Sequence, residues 1–110
     1  MVKQILTDAG FVENETFKET MFSRPPQTTY AVYLDSITRR GADKINLITE
    51  HSVSIELYEY YPDRDSEANI EVEFDRLGIE YSKESRYWLE TEQLYQVVYT
   101  FNYICKGDKI

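Results

Sequence analysis

One cysteine, one histidine and one tryptophan occur in 110 residues, with three prolines and four glycines. A single thiol, Cys105, excludes an internal disulfide framework and makes a reducing compartment the simplest assumption. One histidine, His51, and one cysteine 54 positions apart do not supply the three or four closely spaced ligands of a zinc site. They also give no convincing nucleophile–base pair. The four glycines are scattered, so no glycine-rich phosphate loop is present. No apolar run approaches the roughly 20 residues of a membrane span, and the start, MVKQILTDAG, is too short and polar for a signal peptide.

Basic residues are also scarce: 12 Lys and Arg stand against 20 Asp and Glu, a net charge of −8. Nucleic-acid backbones and anionic membranes both call for clustered cations, so both are poor partners. What is abundant is aromatic: ten tyrosines and five phenylalanines, within an apolar content of 42% that suffices for a real core. The length suits one domain, residues 1–110.

The charge is local. Residues 1–55 carry seven acids and six bases, and residues 56–110 carry thirteen and six. Most of the excess lies between Glu56 and Glu92. A solvated surface accounts for it simply. A working acidic surface, which repels DNA or steers a basic partner, is the alternative.

Val2, Ile5, Leu6 and Ala9 share one helical face, and Gly10 follows as a C-terminal cap. Thr16–Phe22 is expected as a short irregular strand, followed by an extended connection through Pro25-Pro26. Thr29–Ile37 has strand propensities, and Arg39–Asp43 is expected as a turn. From Ile48 to Tyr61, with Asn46 and Leu47 leading in, His51, Val53, Ile55 and Leu57 alternate with Ser52, Ser54, Glu56 and Tyr58, a strand with one apolar face.

Residues 66–77 fit both periods, but Ser66 as an N-cap and Gly78 as a stop favour helix. Ile70, Phe74 and Leu77 then face the core, while Ala68 and Val72 face away. An isolated domain leaves Val72 wet; an oligomer would bury it. Ile79–Leu89 and Gln93–Cys105 are expected as strands, the second with Tyr95, Val97, Tyr99, Phe101 and Tyr103 on one face and a mixed second face. The order α-β-β-β-α-β-β predicts a two-layer α+β domain, with a mostly antiparallel or mixed sheet of four to five strands and two helices on one face.

The alternation of Asp63, Asp65 and Glu67 lacks the glycine and terminal glutamate of a calcium loop and suits the first turn of a helix. Tyr58, Tyr60 and Tyr61 crowd one strand end. Tyrosine suits interfaces as well as thin cores, so these positions are either filler or contact residues. Arg39 and Arg40 form a basic doublet suited to bridging an acidic neighbour.

Taken together, the short helix ending Ala9-Gly10, the Pro-Pro stretch into Tyr30-Ala31-Val32-Tyr33, Ser54–Tyr58, the acidic helix ending Leu77-Gly78-Ile79, and Glu92–Phe101 resemble small tail proteins of long-tailed bacteriophages and prophages, the tail terminator or tail-completion group. The resemblance covers nearly the whole chain and rests on element order and aromatic strand wording. It implies an α+β subunit that forms a homo-oligomeric ring, commonly a hexamer. The ring caps the tail tube, meets the head connector, uses no cofactor and performs no chemistry. Its place would be the virion, after assembly in the bacterial cytoplasm. Val72, Tyr58, Tyr60, Tyr61, Arg39 and Arg40 are the expected interaction residues. The alternative function is an acidic module or inhibitor that occupies a basic protein surface.

Overall fold

The computed structural model describes residues 1–41 and 47–106. Two helices, α1 (Val2–Asp8) and α2 (Arg64–Leu77), pack on one face of a six-stranded sheet. Its strands are β1 (Phe17–Glu19), β2 (Tyr30–Arg40), β3 (Ile48–Glu59), β4 (Ser82–Lys83), β5 (Tyr87–Leu89) and β6 (Leu94–Lys106). The spatial order is β1-β2-β3-β6-β4, with β5 also on β6; β1 runs parallel to β2 and every other pair is antiparallel. The expected mixed α+β sandwich is therefore present, with one strand more than expected.

The alternating pattern in β3 does what its period requires. Val53, Ile55 and Leu57 are buried beneath the helices, and Ser52, Ser54 and Glu56 turn to the other face. They join Ala31 and Tyr33 of β2, Val97, Tyr99 and Phe101 of β6, and Ile5, Leu6, Ile70 and Phe74 of the helices in one core. Phe74 is its aromatic hub, with ring centroids 4.5 Å from Tyr81, 5.6 Å from Tyr99 and 5.4 Å from Phe101. Phe11 and Phe17, between α1 and β2, close the other end of the core.

Residues 66–77 are helical, but the N-cap is Asp63 and not Ser66. Asp63 accepts from the Ser66 backbone N–H (3.1 Å) and from the Ser66 and Thr29 hydroxyls, and so ties the helix start to the entry of β2. These bonds hold the Asp63 carboxyl below its ordinary pKa, against the opposing effect of burial. At the other end Gly78 takes φ +67°, which lets Ile79 N–H reach the Phe74 carbonyl and Gly78 N–H reach that of Asp75. Gly10 (φ +104°) ends α1 in the same way, through Phe11 to Leu6 and Gly10 to Thr7. Leu77, expected in the core, is exposed, because the buried face of α2 runs through Glu67, Ile70, Glu73 and Phe74.

Two further expectations are corrected. Ile79–Leu89 is not one strand. It pairs with β6 only at Ser82–Lys83 and Tyr87–Leu89, and between them Arg86 turns inward to buried carboxylates. Arg39 and Arg40 are the last residues of β2, paired with Thr49 and Ile48, and are not in a turn. The remainder of that expected turn, with Asn46, lies outside the described residues.

Candidate functional site

Strand rise decides the shape of the exposed region. Thirteen residues of β6 span about 43 Å, whereas fourteen of α2 span about 21 Å. The helices therefore cover only one end of the long strands. Beyond Tyr33, Val53 and Phe101, the three strands continue as an arm: Leu34–Arg40, Ile48–Ser52 and Asn102–Lys106.

On its helix side the arm carries a polar knot. His51 is 1% exposed; its Nδ1 lies 2.9 and 3.0 Å from the two Asp35 oxygens, and its ring stacks on Tyr103 at 4.2 Å. A carboxylate can only accept here, so Nδ1 is the donor to Asp35. Among the described residues, Nε2 and the buried Thr49 hydroxyl have no hydrogen-bond partner. An Asp–His pair of this form orients a general base, but catalysis also needs a nucleophile in reach, and none of the described residues hydrogen-bonds Nε2. Cys105 sits across the β3–β6 ladder from Thr49, half-buried.

A second cluster lies where the segment after α2 returns over the sheet. Arg86 Nε is 3.1 Å from Glu59 Oε1, and another guanidinium nitrogen is 2.6 Å from Glu67 Oε2. Lys83 Nζ bridges Glu67 (3.0 Å) and Glu71 (2.7 Å), and the Tyr99 hydroxyl donates to Glu71 at 2.6 Å. The group borders an open cleft of about 360 Å³, lined in part by Arg64 and Ser85. Glu59 is fully buried, and its Oε2 has no hydrogen-bond partner among the described residues. Burial first, and the Glu67 carboxyl beside it second, push Glu59 up to about 7. Burial opposes ionisation of Glu67 as well, but bonds from Glu59, Arg86 and Lys83 outweigh it and hold Glu67 well below the ordinary range. The two carboxyls thus share one negative charge near neutrality.

The sign of the pH effect follows. Folded Glu59 keeps its proton where the unfolded chain has lost it, so its stabilising effect is present below about pH 4.5 and disappears as pH rises towards 7. Glu67 acts in the opposite sense, and its contribution is lost only at acid pH. Between pH 5 and pH 8 the protein is expected to lose on the order of 2 kcal/mol of unfolding free energy through Glu59. Glu59→Gln should flatten that slope in urea titrations run at several pH values. An unchanged slope would place the titration elsewhere.

The six expected interaction residues do not form one patch. Val72 is 57% exposed on the outer face of α2, away from the sheet. Tyr58, at the helix-covered end of β3, points to the opposite sheet face. It stacks on Tyr30 (5.1 Å), receives a bond from Gln96 and donates to Glu56, and burial raises its pKa to about 12. Tyr60 donates to the Pro26 carbonyl, and Tyr61 is open to solvent. Arg39 and Arg40 lie at the tip of the arm, ten residues of strand from Tyr58, about 33 Å; Arg40 pairs with Glu50.

Tyr58 belongs to a small second core on the side without helices. There the connection from β1 lays Phe22 edge-on against Tyr30 (5.5 Å), and Tyr30, Val32, Tyr58 and Leu89 line one shallow cleft. The chain matches no protein-family model and no curated protein. The arm itself was missed. Its exposed apolar residues are Leu34, Ile37 and Ile104, and the one sequence trace of them is the mixed second face of β6.

No helix of the described residues is long and apolar enough to cross a membrane.

Proposed function

We propose that this chain is a structural subunit of a bacteriophage or prophage tail: a ring-forming tail terminator or tail-completion protein that caps the tail tube and joins it to the head connector. Its partners are then further copies of itself, the tube protein and the connector, and its place is the virion. The observation that carries this reading is the arm, three long strands that leave the helical layer and present apolar side chains to solvent. Leu34, Ile37 and Ile104 are exposed there, and an assembly made through the arm would cover them. The exposed Val72 adds a second apolar position on the helical layer.

The acidic-module alternative draws less support. Of the acids that motivate it, Asp63 caps α2, Glu71 binds Lys83 and Tyr99, and Glu73 binds Arg76. Acids engaged inside the fold are not free to imitate a phosphate backbone.

The test is light scattering at high protein concentration, alone and with purified tail tube. A closed oligomer of defined size, or capture by the tube end, is expected. Val72→Glu should leave the unfolding midpoint within about 0.5 kcal/mol of the parent and reduce assembly at least tenfold. In infected cells, loss of the protein should give tails of uncontrolled length or tails that fail to join heads. A chain that stays monomeric with the tube at every concentration, and whose deletion leaves tails normal, would end this reading.

A further inference from the structure

The two ends of the sheet differ in charge and in shape. One end is the tip of the arm. Its edges are closed to a neighbour's long strand, because β1 holds the edge of β2 at Ala31–Tyr33 and β4 and β5 hold that of β6 up to Thr100. The tip itself is open. Arg39 and Arg40 end β2 and Lys106 ends β6, all three exposed. The acids of the arm are engaged inside the subunit: Asp35 accepts from His51, and Glu50 pairs with Arg40. Arg39 has no ion-pair partner among the described residues. Ile37 and Ile104, 45% and 56% exposed, stand two residues behind Arg39 and Lys106.

The helix-covered end is acidic and aromatic. On the side without helices lies the shallow cleft of about 190 Å³ that holds the stacked Tyr30 and Tyr58 rings. Tyr30 and Val32 form its buried part, and the exposed Met21 and Glu92 stand at its rim. Glu92 belongs to the link Glu90-Thr91-Glu92, which has two acids and no base. Glu90 accepts from Trp88 Nε1 at 2.6 Å, whereas Glu92 has no ion-pair or hydrogen-bond partner among the described residues. Burial first, and then Tyr60 and Glu92, raise the pKa of Tyr30, so the Glu92 charge is felt inside the cleft.

A tyrosine face beside an unpaired carboxylate is a site for a guanidinium. The flat cation stacks on the ring, and its N–H groups reach the carboxylate. Its methylene stem needs an apolar neighbour, which Met21 supplies. The tip of the same subunit cannot be the source. Ten residues of unbroken strand, about 33 Å, separate Tyr58 from the end of β3.

We infer that Arg39 of one copy docks in the Tyr30–Tyr58–Glu92 cleft of the next, so that copies join tip to base. The occupant is a second copy of this chain, and the inference rests on the ring-forming reading above. The two surfaces match twice, basic Arg39 against acidic Glu92 and apolar Ile37 against Met21. They are also different surfaces. A contact of this kind leaves a free tip and a free cleft on every open chain of copies, and both are used up only when the ring closes.

Two variants of the full chain test this, read by light scattering alone and with purified tail tube. Arg39→Glu spoils the tip and keeps the cleft; Glu92→Arg spoils the cleft and keeps the tip. Both side chains are exposed, so the thermal midpoint should not move. Each variant alone should assemble at least tenfold less than the parent. Mixed, the two should associate at least one to one, because the intact Arg39 of the second meets the intact Glu92 of the first. Added salt should weaken assembly of the parent. A parent oligomer that neither variant affects, or two spoiled variants that do not associate on mixing, would overturn the docking and leave the ring-forming reading standing. A parent that stops at two copies at every concentration would make the contact reciprocal and overturn the tip-to-base chain. A permanent monomer, with the tube present, would overturn both.

Discussion

Arg86→Met is expected to destabilise the protein by about 3–5 kcal/mol at pH 8, the range for removing one partner of a buried ion pair. The guanidinium is the cation shared by Glu59 and Glu67, and those two carboxyls are almost wholly buried. Methionine fills much of the volume and supplies no charge, so Glu59 loses its cation beside a Glu67 that only Lys83 still balances. The penalty should shrink at pH 5, where Glu59 holds a proton, and Arg86→Met combined with Glu59→Gln should recover part of it. Urea unfolding at the two pH values checks both points. A loss below about 1 kcal/mol at pH 8 would mean that water, and not Arg86, neutralises the pair.

Phe74→Ala should cost a comparable 3–5 kcal/mol. The ring is fully buried and lies against Tyr81, Tyr99 and Phe101, aromatics from the segment after α2 and from β6. Those neighbours are held by the sheet and cannot collapse into the gap, so the cavity persists. In a domain of this size the thermal midpoint should fall by about 15 °C or more. Phe74→Leu should lose clearly less, because it keeps most of the apolar contact. Similar midpoints for the two variants would show that the hub repacks.

Elements whose signals are local were legible in the sequence. The alternation in β3, the face of α1, the Ile70 and Phe74 positions of α2 and the two glycine stops at Gly10 and Gly78 each depend on residues within a few positions, and each lies where the pattern placed it, whereas Leu77 falls outside the buried face. The failures have the opposite character. Glu59 and Arg86 are 27 residues apart, and Glu67 and Arg86 nineteen, so nothing periodic announces that these charges meet inside the molecule. That meeting interrupts the strand expected over Ile79–Leu89 and converts part of an acidic surface into core. Asp63 took the capping role assigned to Ser66, because it also receives Thr29 from another element. Of the expected contact residues, Val72 could be placed outward from helical spacing alone. The edges of the arm could not, since an edge is defined by which strands are missing beside it.

The register from Tyr30↔Tyr58 to Arg40↔Ile48, and from Ile48↔Lys106 to Glu59↔Tyr95, runs without a slip or bulge. No strand breaks at the boundary between the helical layer and the arm. The arm therefore has no hinge, and a force on its tip is carried by rows of backbone hydrogen bonds directly into the layer beneath α1 and α2. Mechanically the subunit is a stiff lever and not a tethered flag: displacement at one end of the sheet must appear as displacement at the other.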